Sequence, residues 1–228
     1  DYKGDKNAFF VFGRSAGAHL ALLTAFSCDE SYFEMEGIQC TIEDQKIDGV
    51  IAFYPITDML DLFESYEDSK HLRLPIYRST GGTPEENAEI YRIFSPVNYI
   101  NENIAKRIPP VFLAAGKLDK LITVNQSLEL HQELDKYGIP NVFLEFPWAN
   151  HAFDLVLNGP GGQLAYKYLS QFLVWVLSQR KIKHIEEIAN ELGMKKIISM
   201  EKIKLLHQLN DSNEEPNSEH IMNYLKKQ

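Results

Sequence analysis

Three residues of this chain have the types and positions that nucleophilic catalysis needs: Ser15, Asp119 and His151. A serine hydroxyl is a weak nucleophile until a base takes its proton, and an imidazole can be that base when a carboxylate orients it. The sequence therefore predicts Ser15 as a nucleophile, His151 as its general base and Asp119 as the acid behind the imidazole.

Ser15 is the centre of residues 13–17, which read Gly-Arg-Ser-Ala-Gly and follow the apolar run Ala8–Phe12. A helical pattern runs from His19 to Phe26. A serine between two glycines, at a strand-to-helix junction, is typical of a nucleophile elbow, where the backbone bends so sharply that only glycine fits on either side. We therefore predict Gly13 and Gly17 as the elbow glycines.

Asp119 and His151 follow two other apolar runs, which we predict to be strands. Asp119 lies four residues past Pro110–Ala115, and His151 lies five residues past Asn141–Phe146. Since Ser15 also follows a predicted strand, all three lie beyond the carboxyl ends of strands, where open α/β sheets place their sites. The order serine, aspartate, histidine along the chain is also the one expected for the nucleophile-elbow architecture.

Other acidic and imidazole groups compete for these roles. Asp58 closely follows the second predicted strand and is the rival to Asp119 as orienting acid. His19 lies among apolar residues of the helix after the elbow, which favours a buried structural histidine. Asp154 is too close to His151 in sequence to sit easily behind its ring.

Apolar runs that alternate with helical patterns predict an α/β fold with a parallel sheet flanked by helices. The four predicted strands are Ala8–Phe12, Gly49–Tyr54, Pro110–Ala115 and Asn141–Phe146. An insertion at residues 57–108 is expected to cover the carboxyl edge of the sheet as a lid or pocket wall, or else to be a surface excursion. We predict a core at residues 1–179 and a helical C-terminal extension at residues 180–228.

The composition restricts the partners of the chain. A net charge of −9 over 228 residues argues against a nucleic-acid partner. No apolar run reaches the about 18 residues that a membrane span needs. Metal-ligand spacings and glycine-rich phosphate loops are absent from the sequence, so we expect neither a metal nor a cofactor. Cys28 and Cys40 are interpreted as free thiols, which favours a cytoplasmic location.

Five segments resemble the α/β-hydrolase carboxylesterases related to acetyl esterases and hormone-sensitive lipases. They are residues 13–21 (GRSAGAHLA), 53–55 (FYP), 81–84 (GGTP), 116–119 (GKLD) and 145–153 (EFPWANHAF). The resemblance covers about residues 5–178. It implies Ser15 as nucleophile, Asp119 as acid, His151 as base and the backbone amide of Ala16 as one oxyanion donor.

The resemblance implies a serine hydrolase that cleaves short-chain carboxylic esters. Its substrates would be small molecules, and the reaction would pass through an acyl-enzyme. Two alternatives stay open: a serine peptidase of the same fold, and an inactive or split-gene remnant that acts as an interaction module. In this architecture the elbow normally follows four strands, and a preceding His-Gly-Gly segment supplies further oxyanion amides. We therefore interpret the chain as the C-terminal part of the fold, and expect Ala8–Phe12 to form an exposed edge capable of self-association.

Overall fold

The structure is a computed structural model, which describes residues 8–27, 30–33, 47–156 and 158–191. Within them a four-stranded sheet carries the candidate site, with the strands in the order β1-β2-β3-β4 and every neighbouring pair parallel. The strands are β1 (Phe10–Arg14), β2 (Gly49–Phe53), β3 (Val111–Gly116) and β4 (Asn141–Phe146). The predicted α/β fold with a parallel sheet is thereby confirmed.

Helices lie between and after the strands. They are α1 (Ala16–Phe26), α2 (Met59–Ser65), α3 (Lys70–Thr80), α4 (Ala88–Ile93), α5 (Val124–Lys136) and α6 (Pro160–Glu191), with short 3₁₀ helices at Ser31–Phe33 and Pro96–Tyr99. Pro160 occupies the first position of α6, where the missing amide hydrogen costs nothing and the fixed φ angle suits a helix. None of the described helices combines the length with the apolar character that a membrane span requires.

The two central strands anchor the fold. Every residue of β2 and β3 is buried, as expected of parallel strands covered by helices on both faces. Helices α1 and α5 contribute Leu22, Phe26, Leu130 and Leu134 to the main apolar cluster. Because full burial of one such side chain contributes roughly 1.5–3 kcal/mol, the packing of these helices on β2 and β3 stabilises the sheet.

Strand β1 forms one side of the described sheet and pairs with β2. In the part of the chain that the structure describes, no strand pairs with its other side. Phe9 is 58% exposed and Phe12 is 42% exposed. The edge is therefore apolar, and self-association through it stays a prediction.

The insertion at residues 57–108 contains α2, α3 and α4 and has an apolar cluster of its own. The cluster consists of Met59, Leu62, Phe63, Tyr66, Ile76, Tyr91 and Ile122. Ile122 lies outside the insertion, in the loop after β3, and the Tyr66 hydroxyl donates a hydrogen bond to the carbonyl of Leu121 in the same loop. The insertion is thus packed on the loop that follows β3, and its role as a lid stays a prediction.

Contacts between residues divide the chain into two units, Asp1–Ser170 and Gln171–Gln228. The whole sheet and the insertion belong to the first unit. The predicted domain boundary between residues 179 and 180 falls inside α6, and this division stays a prediction. The described residues do not include Cys28, Cys40 or residues 192–228. The predictions for the two thiols and for most of the C-terminal extension therefore concern residues that the structure does not describe.

Candidate active site

Ser15 lies at the junction of β1 and α1, in a backbone conformation that is rare for residues other than glycine. Its φ and ψ angles are 53° and −123°, and its amide donates a hydrogen bond of 2.9 Å to the carbonyl of Phe53. Helix α1 begins at the next residue, Ala16, and the first amides of a helix have no partners within it. The Ser15 hydroxyl is thus held beside the electropositive end of a helix.

The two elbow glycines differ in how strongly the structure requires them. A Cβ atom at Gly13 would lie 2.1 Å from the carbonyl oxygen of Gly17, which excludes any other residue. Outside its own helix, a Cβ atom at Gly17 would meet no heavy atom of the described residues within 4 Å, and Gly17 is exposed. The close approach therefore requires glycine at Gly13, whereas the described residues leave room for a side chain at Gly17. The assignment of both as elbow glycines stays a prediction.

Hydrogen bonds connect the three residues that the sequence singled out. The Nε2 atom of His151 lies 3.1 Å from the Oγ atom of Ser15, and its Nδ1 atom lies 2.7 Å from Oδ2 of Asp119. The Asp119 side chain is fully buried, whereas that of His151 is 21% exposed. This geometry allows a proton to pass from the serine hydroxyl to the imidazole while the carboxylate holds the ring.

The loop after β3 fixes the carboxylate of Asp119. Its Oδ1 atom accepts hydrogen bonds from the amides of Leu121 and Ile122, at 2.8 and 2.9 Å, which leaves Oδ2 to face the imidazole. The loop after β4 is tied to the same region, because the amide of Leu118 donates to the carbonyl of Ala149 at 3.0 Å. These contacts bring the acid and the imidazole together from two neighbouring strands.

The rival residues have other partners. Asp58 caps the N-terminus of α2 and accepts hydrogen bonds from the amides of Leu60 and Asp61, at 2.7 and 3.0 Å. His19 is only 8% exposed, and its Nδ1 atom lies 3.3 Å from the carbonyl oxygen of Ile56. The structure therefore brings Asp119, and not Asp58, to His151, and it buries His19 inside the fold.

The burial of His19 predicts acid sensitivity of the fold. Burial lowers the pKa of His19 to about 4, from an ordinary value near 6.5. Between these values the unfolded chain binds the proton and the folded chain does not, so the free energy of unfolding falls as the pH drops from about 6.5 toward 4. Between pH 7 and pH 4.5 we expect this group to contribute a loss of about 2 kcal/mol.

Urea unfolding at the two pH values measures this loss. The variant His19→Gln should lose less stability on acidification than the native chain, by about the same amount. His71 is exposed, so His71→Gln is the matched control and should leave the difference between the two pH values unchanged. Equal acid sensitivity of the native chain and the His19→Gln variant would contradict the prediction.

The sequence analysis did not predict a set of hydrogen-bonded polar residues that lies beside the site. The buried carboxylate of Asp154 accepts hydrogen bonds from Arg14 Nε, at 2.5 Å, and from the Tyr54 hydroxyl, at 2.7 Å. The Tyr54 ring lies against His151, with ring centroids 4.4 Å apart. Burial, followed by the hydrogen bond to Asp154, raises the pKa of Tyr54, so its hydroxyl stays a donor. The sequence did contain a signal for this set, because the charged residue Arg14 directly precedes Ser15 and the charged residue Asp154 lies three positions after His151.

Backbone strain is concentrated at the same place. Among the described residues, the non-glycine residues with φ in the left-handed region are Ser15, Tyr54 and Ala152, at 53°, 42° and 60°. Each such residue costs about 1–3 kcal/mol and persists only where its surroundings fix it. All three are site residues or direct neighbours of one, so the packing around the site must hold them.

No group of three or more His, Cys, Asp and Glu side chains in the described part of the chain could hold a metal ion. Ser15, His151 and Asp119 place a hydroxyl, an imidazole and a buried carboxylate in one hydrogen-bonded row beside a helix N-terminus, a geometry that can support acyl transfer.

Solved structures with known activities share this fold. A thermophilic esterase from Thermogutta terrifontis, solved with propionate bound, superimposes with a TM-score of 0.52 at 20% identity, over 73% of this chain and 55% of that one. The acylaminoacyl peptidase of Pyrococcus horikoshii gives a TM-score of 0.56 at 18% identity, over 74% of this chain and 24% of that one. At such identities the likeness shows the α/β-hydrolase fold alone.

Curated relatives have closer sequences. A probable carboxylic ester hydrolase of Mycobacterium tuberculosis, LipM, is 29% identical over 180 residues, which are 77% of this chain and 39% of the relative. The esterase LipQ of the same organism is 26% identical over 183 residues, 79% of this chain and 41% of the relative. The chain spans about two fifths of the length of these relatives, whose names confirm the expected resemblance to carboxylesterases.

A family assignment follows from a match to a family profile. The profile of the BD-FAE family matches residues 1–134, which is more than half of the 228 residues and includes β1, β2, β3, the insertion and Asp119. Together with the α/β-hydrolase fold and the carboxylesterase-like relatives, this match establishes that the chain belongs to the BD-FAE family.

Proposed function

We propose that this protein hydrolyses short-chain carboxylic esters, with Ser15 as nucleophile, His151 as general base and Asp119 as the residue that orients the imidazole. The observation that carries the proposal is the continuous hydrogen-bonded path from the Ser15 hydroxyl through His151 to Asp119, with distances of 3.1 and 2.7 Å. The carboxylic ester hydrolases among its relatives support an ester as the substrate.

The proposed reaction has two steps. Ser15 Oγ attacks the ester carbonyl as its proton moves to His151 Nε2, and the oxyanion forms beside the amide of Ala16 at the start of α1. The imidazole then gives this proton to the departing alcohol, which leaves an acyl group on Ser15. A water molecule, deprotonated by the same imidazole, releases the acid and restores the serine.

Covalent labelling with a fluorophosphonate probe tests the proposal, because such probes react with an activated serine and spare ordinary hydroxyls. We expect one adduct on the native full-length chain, which peptide mass mapping should place on Ser15. The heat-denatured chain is the control and should stay unlabelled. A folded chain without label, or with its adduct on another residue, would contradict the proposal and favour the inactive remnant that acts as an interaction module.

The same preparation distinguishes an esterase from a peptidase. p-Nitrophenyl acetate and the corresponding p-nitroanilide present the same acyl group on an ester and on an amide. We expect turnover of the ester and none of the anilide. Preferential cleavage of the anilide would favour the peptidase alternative.

A further inference from the structure

The carboxylate of Asp154 has no part in the proposed proton path, yet it is fully buried beside it. Burying a carboxylate is costly unless charged or hydrogen-bonding partners compensate it. Its partners are the Arg14 guanidinium and the Tyr54 hydroxyl, at 2.5 and 2.7 Å. Burial opposes the charge of Arg14, but the hydrogen bond to Asp154 raises the pKa of Arg14 above its usual value. The Arg14 guanidinium is therefore charged in the fold.

Each partner of Asp154 leads to a different component of the site. Arg14 is the last residue of β1 and directly precedes Ser15, and a second hydrogen bond, of 2.6 Å, joins it to the Tyr166 hydroxyl. Tyr54 follows β2, and its ring lies 4.4 Å from that of His151. Asp154 itself lies three residues after His151. One carboxylate thus joins the ends of β1 and β2 to the loop after β4.

We propose that Asp154 is a positioning residue, which fixes the distance between Ser15 and His151 by holding Arg14 on one side and Tyr54 on the other. This inference rests on the proposed function of Ser15 and His151. A single hydrogen bond of 3.1 Å joins those two side chains, so a displacement of about 1 Å would separate them and cost up to about 10²-fold in rate.

The strained backbone at the same place supports this role. Tyr54 and Ala152 both have positive φ. The ring of Tyr54 lies against that of His151, and Ala152 is the next residue in the chain after His151. Such conformations persist only where the surrounding contacts outweigh their cost. The hydrogen bond from Tyr54 to Asp154 is one contact that restrains both segments at once.

Three variants test the proposal on the full-length chain. Tyr54→Phe keeps the ring against His151 and removes the hydroxyl, and Asp154→Asn removes the charge. Tyr99→Phe is the matched control, because its hydroxyl also donates one hydrogen bond of 2.7 Å, to the carbonyl of Ile93, which is not a residue of the candidate site. With p-nitrophenyl acetate we expect kcat to fall about tenfold or more in the first two variants, with KM unchanged and the control at the native rate.

A double-mutant cycle separates positioning from general destabilisation. If Tyr54 acts through Asp154, the variant with both changes should have the kcat of Asp154→Asn alone. Losses that multiply would show independent effects and overturn the proposal. A loss of kcat in Tyr99→Phe equal to that in Tyr54→Phe would overturn it too. Because Tyr54→Phe removes one oxygen atom only, it remains informative if Asp154→Asn fails to fold.

A readout without turnover distinguishes this inference from the proposed function. The imidazole proton between His151 and Asp119 should give a downfield NMR signal, assigned by its loss in His151→Gln. We expect Tyr54→Phe to shift or broaden this signal and Tyr99→Phe to leave it unchanged. If the native chain neither hydrolyses esters nor labels on Ser15, the proposed function fails, and a shifted signal still supports positioning. An unchanged signal and an unchanged kcat in folded Tyr54→Phe would overturn the inference.

Discussion

Replacing Ser15 with alanine is expected to abolish ester hydrolysis, with kcat lowered by about 10⁴–10⁶-fold, because no other group can form the acyl-enzyme. The melting temperature should change by only a few degrees, since the hydroxyl is partly exposed and its hydrogen bond is to His151. Turnover of p-nitrophenyl acetate by the native and variant full-length chains, alongside thermal unfolding, measures both effects.

A second serine provides the control for this substitution. Ser79, in α3, also makes one hydrogen bond, to the carbonyl of Ile76 at 2.9 Å. Ser79→Ala should therefore lose a comparable hydrogen bond and keep the native rate. Residual turnover of Ser15→Ala above about a hundredth of the native value would reject Ser15 as the nucleophile.

Changing Asp119 to asparagine should lower kcat by about 10⁴-fold, the magnitude measured for the equivalent change in a well-characterised serine protease. The carboxylate accepts the Nδ1 proton of His151 at 2.7 Å, which leaves Nε2 free to take the serine proton. An asparagine amide group in that place donates to Nδ1 and imposes the opposite tautomer. Steady-state kinetics at saturating p-nitrophenyl acetate measure the loss.

Asp58→Asn is the matched control, because it makes the same chemical change in the rival acid. Asparagine caps helix N-termini about as well as aspartate, so the hydrogen bonds to the amides of Leu60 and Asp61 should persist and kcat should stay near the native value. A large loss in Asp58→Asn together with a small one in Asp119→Asn would transfer the role of orienting acid to Asp58.

The strands could be predicted because parallel strands buried on both faces appear in a sequence as continuous apolar runs. This is why β2 and β3 were located to within one residue at each end. Strand β1 extends to Arg14, two residues beyond its apolar run, because the elbow motif itself continues the strand. Knowing where strands end also sufficed to predict that Ser15, Asp119 and His151 would meet.

The network around Asp154 could not be predicted from the sequence in the same way. Its residues are separated by 100 and 140 positions, and an arginine, a tyrosine and an aspartate near loops usually face solvent. Only the folded chain shows that they meet around a fully buried Asp154 carboxylate. Gly17 is the opposite case, because the motif required a glycine where the structure leaves room for a side chain.

The contact between the insertion and the loop after β3 limits how this protein can diversify. Ile122 belongs to the apolar cluster of the insertion, and its amide also holds the Asp119 carboxylate. Exchanging residues 57–108 for the insertion of a relative would therefore leave Ile122 without its partners and disturb Asp119, even if the new segment folded well. The insertion is therefore coupled to the Asp119 loop, and changes in its apolar cluster should be accompanied by changes in the residues that follow Asp119.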